Sequence, residues 1–247
     1  MRRIAWLVAC ITMIGACGSD DTSVSEPSPL TNDQAARLAQ AGYSNLLAGG
    51  AEFEANSAFL GVQPSETVRL VGVVDWENHV GRAMVSSTGA NAGLTEVYWN
   101  ETTVLERWPG MDDLVSSLGG PNQPWVARPP EPATKQIDRL LAILIGLALE
   151  QPENAILLQQ TEGSAFLRDD VLRGQDAEVL RYGTRNVYWL ATDDGTMLRF
   201  EGNSSGGNAP TVIDFLELGP VDVPRPVAKD VVPASAIPEI YSTFAGG

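Results

Sequence analysis

The chain predicts an α+β fold, one long antiparallel strand series interrupted by two main helices. Three observations lead there. Short β-prone runs recur between turn signals from Val68 to Leu218. Long helical patterning is confined to residues 31–48 and 135–150. The strands follow one another without intervening helices, so the βαβ alternation of a parallel sheet is absent.

Thr31-Asn32-Asp33-Gln34 has the form of a capping box. The helix it opens should run to about Ala48 and stop at Gly49-Gly50. Leu38, Leu46 and Leu47, with small Ala35, Ala39 and Gly42, form its expected buried stripe. Val68–Trp76 reads as a strand, Glu77-Asn78-His79 as a tight turn and Val80–Ser86 as the return strand. Leu94–Asn100 and Thr103–Trp108 make a second hairpin. Residues 109–134 are rich in Pro and Gly, with one helical turn at Met111–Leu118. After the helix over Lys135–Glu150, strands are expected at Ala165–Val171 and Ala177–Tyr182. Asn186–Thr192 and Thr196–Glu201 pair across Asp193-Asp194-Gly195, where Asp-Gly is a strong turn signal. Thr211–Leu218 is the last strand, and the Pro-rich end should pack along the surface. Val97-Tyr98-Trp99 and Val187-Tyr188-Trp189 echo each other; duplication is one explanation, and half-buried strand composition is the preferred one.

The first residues carry an address. Met1-Arg2-Arg3 is a positive start, Ile4–Ile14 an apolar run, and Ile14-Gly15-Ala16-Cys17 ends it with small residues before a cysteine. This is a secretory signal layout. A cysteine directly after the small pair is what separates a lipoprotein signal from an ordinary one, and the segment closely resembles those of bacterial lipoproteins. The resemblance implies cleavage before Cys17 and acylation of its sulfur, with palmitate-type chains as the anchor. The run is too short to span a bilayer, which takes roughly 20 apolar residues. Gly18–Pro29 then reads as a flexible tether, and residues 30–247 as a single domain. The expected location is the extracytoplasmic face of the cell membrane.

Removing residues 1–16 leaves 14 basic against 31 acidic residues, a net charge of −17. That balance argues against nucleic acid, which demands clustered Lys and Arg, and against electrostatic adsorption to anionic lipid. Of the two cysteines, Cys10 lies in the discarded run and Cys17 is spent on lipid. The remaining fold has no disulfide and no thiolate ligand.

Leu140–Leu149 has no polar side chain on any face. Such a helix must be covered all round. Either it is a solid core helix, or one face packs on the sheet while another lines a cavity for a lipid. A strongly curved antiparallel sheet wrapped partly around it would leave that space. In the second case Leu140, Leu144 and Leu147 are the helix's cavity-lining residues, and Trp99 and Trp189 offer flat apolar walls.

At this point a family resemblance emerges. The cysteine box, tether, N-terminal helix, strand series and internal helix resemble the actinobacterial LppX/LprG-type lipoproteins of the LolA-like lipoprotein-carrier superfamily. Val68–Trp76 with Gly81-Arg82, then Val97-Tyr98-Trp99, and above all Val187–Arg199 carry it. The resemblance covers residues 30–218 or so and rests on loose motifs. It implies an incomplete β-barrel with helices covering its open side and an apolar cavity for acyl chains. It brings no catalytic residues with it.

Catalytic chemistry is not expected. Gly202-Asn203-Ser204-Ser205-Gly206 matches G-x-S-x-G, but loop composition follows it, and the sole histidine, His79, lies far upstream. One histidine and no free cysteine argue against zinc. Asp112-Asp113, Asp169-Asp170 and Asp193-Asp194 are sequence neighbours, which on a strand point to opposite faces. No metal or cofactor is expected. The leading functional expectation is a non-enzymatic, membrane-anchored protein that binds a lipid or glycolipid and hands it on. The alternative is a structural or regulatory envelope lipoprotein with a filled core and an unidentified protein partner.

Overall fold

The computed structural model describes residues 26–59, 66–88, 92–202 and 211–245. The cysteine box with Cys17, and Asn203–Gly206 of the G-x-S-x-G match, lie outside them. Thr31 caps α1 (Asn32–Ala48) through the complete capping box, and Gly49 ends it at φ 87°. Then come β1 (Gly50–Phe59), β2 (Glu66–Asp75), β3 (Val80–Ser87), β4 (Glu96–Asn100) and β5 (Val104–Arg107). A 3-10 turn leads into α2 (Asp112–Ser117), followed by β6 (Trp125–Arg128), α3 (Gln136–Gly146) and α4 (Ala155–Gln160). The remainder is β7 (Ala165–Leu172), β8 (Gln175–Tyr182), β9 (Asn186–Ala191), β10 (Met197–Gly202), β11 (Thr211–Leu218), β12 (Val231–Pro233) and α5 (Pro238–Ala245).

The described strands form one open, curved sheet of 12 strands in the order β12-β6-β5-β4-β3-β2-β1-β11-β10-β9-β8-β7, not closed into a barrel. Two antiparallel meanders meet at a seam where β1 pairs with β11, from Ala51 opposite Leu218 to Asn56 opposite Val212. The α+β class therefore holds, but the path is not one simple meander. Among the described strands, only β12 lies parallel to its neighbour, β6.

Alternation explains the layers. In β1, Ala51, Phe53, Ala55 and Ser57 point inward while Glu52, Glu54 and Asn56 face the other side. With Leu70, Val74, Trp76, Val97 and Ile213, the apolar members of that inward face form the main core under α1 and α3. Two smaller clusters sit apart from it, one around Tyr98, Leu105 and Trp125 and one around Val179, Trp189 and Leu198. The two Val-Tyr-Trp segments thus have opposite parity: Trp99 belongs to the main core, whereas Trp189 does not and Tyr188 packs against it. The echo does not extend to facing.

Several expectations need correction. Leu47 is exposed, because it lies on the face of α1 turned away from the sheet. The second helix ends at Gly146 rather than Glu150. The chain then turns back along α1, where Leu149 N–H donates to Gly42 O at 3.0 Å. A side chain at Gly42 would collide with Leu149, so the close approach needs glycine. The Pro-rich end does more than coat the surface, since it supplies β12 and α5. Ser28 exchanges backbone hydrogen bonds with Phe166 at 2.8 and 2.9 Å, so the chain is already docked within the stretch expected to be tether.

Candidate apolar binding groove

The apolar helix is not covered all round. Leu140, Leu141 and Leu144 are buried, while Ala142 and Gly146, one turn apart, are exposed. Small residues on that stripe leave an open groove of about 390 Å³. Its floor is Trp99 and Val104 from β4 and β5, and one wall is Leu141, Ala142, Ile145 and Gly146. Pro130 and Pro132 form the opposite wall. A Cβ added at Gly146 would meet nothing within 4 Å, so the groove is open at that point. Polar groups are few: Asn100, Glu101 and Asp138. Glu101 lies 2.7 Å from His79 Nδ1; the glutamate is exposed and the histidine half-buried. The sole histidine is thus half of a surface pair at the turn before β3.

Trp99 is held by its neighbours. Its indole lies where a Cβ on Gly81, its partner across β3 and β4, would stand, within 2.2–2.6 Å. Phe53 meets it edge-on at 6.3 Å between ring centroids. Helix α3 is fixed at its far end, where Trp76 Nε1–H donates to Leu144 O at 2.9 Å. Asn45 Nδ2 reaches Leu147 O just beyond, at 2.8 Å.

Asp138, at the start of α3, connects the groove to a buried ion network. Arg128 Nη1 and Nη2 donate to its two carboxylate oxygens at 2.5 and 2.6 Å. Arg128 Nε and Nη2 also donate to Glu106 Oε1 at 2.8 and 2.5 Å, and Nη1 to Pro129 O at 3.1 Å. All five guanidinium N–H groups are therefore used. Glu106 Oε2 accepts from Trp108 Nε1 at 3.2 Å and from the Tyr241 hydroxyl at 2.9 Å. Glu131 N–H closes the set on Asp138 at 2.6 Å, which holds the loop carrying Pro130 and Pro132. Burial alone would pull the Arg128 guanidinium pKa down, but hydrogen bonds and charge from Asp138 and Glu106 reverse it and hold it above its ordinary value. Burial, reinforced by the Glu106 charge, raises the Tyr241 hydroxyl above the usual phenol range. It stays protonated and donates. The network ties β5, β6, the first turn of α3 and the proline loop together beside the groove.

Of the residues expected to line a cavity, the structure brings Trp99, Leu140, Leu144 and Leu147 into one buried cluster. Leu140 and Leu144 are 2% and 0% exposed and pack as core. Trp189 is not brought to them. Its ring lies between Arg168 and Arg199, at 5.2 and 5.3 Å, and its indole donates to Glu201 at 2.8 Å. Sequence reasoning missed Ala142, Gly146, Pro130 and Pro132. Smallness at i and i+4 in an otherwise large-residue helix was the available signal. Among the described residues, no group of three or more His, Cys, Asp or Glu side chains is placed to hold a metal ion.

No family model and no curated protein matches the chain. Among solved structures, it is similar to an uncharacterized conserved protein from Thermus thermophilus, with 12% identity, 80% of this chain and 96% of that one covered, and a TM-score of 0.42. A chain of the MucA/MucB complex of Pseudomonas aeruginosa shares 16% identity over 80% of this chain and 61% of that one, with a TM-score of 0.33. A DUF1329 family protein from Desulfovibrio piger shares 11% identity over 78% and 93%, with a TM-score of 0.30.

Proposed function

We propose that this protein is a lipid-anchored, extracytoplasmic binding protein, not an enzyme, that takes the apolar tail of a lipid or glycolipid into the groove between α3 and β4–β5. The observation that carries the reading is the open Ala142–Gly146 side of an otherwise apolar helix, facing Trp99 and Val104. Its volume lies within the roughly 300–1,000 Å³ of small-molecule sites. Acylation at Cys17 and residence on the outer face of the membrane follow from the cysteine box, and the LolA-like carrier resemblance points the same way. The sole histidine sits in a surface pair, and the buried carboxylates are committed to Arg128, which supports binding over catalysis.

The test is mass spectrometry of lipid co-purifying with the full chain, together with uptake of a fluorescent fatty acyl probe. Gly146→Trp should fill the groove and abolish uptake while the fold survives. Absence of both lipid and uptake in the unaltered protein would overturn the reading. One observation favours a second reading: Leu140 and Leu144 are solid core. If the groove takes up nothing, the protein is a filled-core envelope lipoprotein whose ligand is another protein.

A further inference from the structure

We infer that the end of the domain carrying α4 rests on the lipid surface, with Ile156 and Leu157 as its apolar contact. The inference rests on the Cys17 anchor and goes beyond the groove. The chain is bound to the body from Ser28 onward, through its paired bonds to Phe166 and the buried side chain of Leu30. Gln159 Nε2, on α4, donates to Leu30 O at 2.7 Å and to Asn32 Oδ1 at 3.2 Å. Helix α4 therefore stands directly beside the first described residues of the chain.

The length of the segment after Cys17 decides the orientation. Roughly ten residues separate Cys17 from Ser28, and a stretch of that length reaches at most about 40 Å. A globular domain of this size has a radius of gyration of about 17 Å and is roughly 40 Å across. Even that full reach only just equals the width of the domain, so the α4 end is kept on the side facing the leaflet. Ile156 and Leu157 are 64% and 62% exposed there, adjacent on one short helix, and Pro27 and Pro29, which flank Ser28, are exposed too. Residues 26–36 and 149–164 contain no Lys or Arg, while Glu26, Asp33, Glu153 and Glu162 are exposed. Attraction to anionic headgroups is therefore not the contact. It is apolar insertion into a neutral or zwitterionic surface, made effective by the high local concentration the short tether imposes.

With residues 1–16 cleaved off together with Cys10, and Cys17 acylated, an introduced cysteine is the only free thiol. The acylated full chain carrying Gln160→Cys, one turn after Ile156, would be labelled with a fluorophore and placed on phosphatidylcholine vesicles with brominated acyl chains. Leu118→Cys, after α2 at the opposite end of the sheet, is the comparison. The expected result is quenching at least about threefold stronger at position 160 than at 118, since only the former sits where the tether holds it to the surface. Adding Ile156→Asp and Leu157→Asp should bring position 160 down to the level of 118. Equal quenching at the two positions, or no effect of the aspartates, in a protein that floats with the vesicles overturns the inference and leaves the anchor standing. A protein that does not float overturns the anchor, and the inference with it.

Discussion

Arg128 grips both carboxylate oxygens of Asp138 in a site where the two side chains are only 3% and 0% exposed. This pair joins β6 to the first turn of α3, and Glu131 N–H adds the proline wall of the groove. Removing the cation leaves Glu106 and Asp138 buried without compensation. Arg128→Met should therefore destabilise the protein by about 3–5 kcal/mol, read as the shift in a urea unfolding midpoint. Adding Glu106→Leu and Asp138→Leu should recover much of that loss, because the uncompensated charge goes with them.

The two sides of α3 should respond in opposite ways. Leu144→Ala empties a fully buried position and should cost about 2–5 kcal/mol. Gly146→Ala adds a methyl group to open space and improves helix propensity, so stability should rise by up to about 1 kcal/mol. Thermal unfolding of the two variants checks both signs.

Gly81 is required by Trp99. A methyl group there would stand 2.2 Å from the indole. Gly81→Ala should destabilise by about 1–3 kcal/mol through overpacking. Trp99→Leu removes the obstacle, so the double variant should be more stable than the sum of the single losses predicts. A double-mutant cycle in urea measures that coupling.

Glu54 gives a stability contribution with a defined pH window. Hydrogen bonds from Arg69, then from Asn56, hold its carboxyl at about 2, below the ordinary 4.5. The folded value is depressed, so the contribution is fully present above about 4.5 and is lost as pH falls through about 2. Both partners are partly exposed, at 31% and 53%, which limits the effect to below about 1 kcal/mol. Glu54→Gln should lower stability by that amount at pH 6 and leave it nearly unchanged at pH 2, as followed by guanidinium unfolding at each pH.

What the sequence revealed depended on how strongly each segment was patterned. The capping box at Thr31 and the Asp-Gly turn before β10 were legible because their chemistry is local. Strand β1 was missed because its inward residues are Ala51, Phe53, Ala55 and Ser57, a true alternation in which only Phe53 is large. β6 and β12 were hidden in Pro-rich stretches: β6 takes its backbone partner from β5, and β12 is then added on the other edge of β6. For the groove, Trp99 and α3 were identified as its elements, but the large leucines were assigned to its wall. They went to the core because the sheet takes the helix's bulkiest face, and the small residues were left to shape the opening.

The seam between β1 and β11 sets the order of assembly. Ala51 must wait for Leu218, a partner made more than 160 residues later. Until then the middle of the sheet has two unpaired edges, one on each meander. Contacts so distant in sequence make for slow folding and a vulnerable interval. A nascent chain cannot finish this fold as it emerges. It has to be kept apart from its neighbours until nearly all of it has been synthesised.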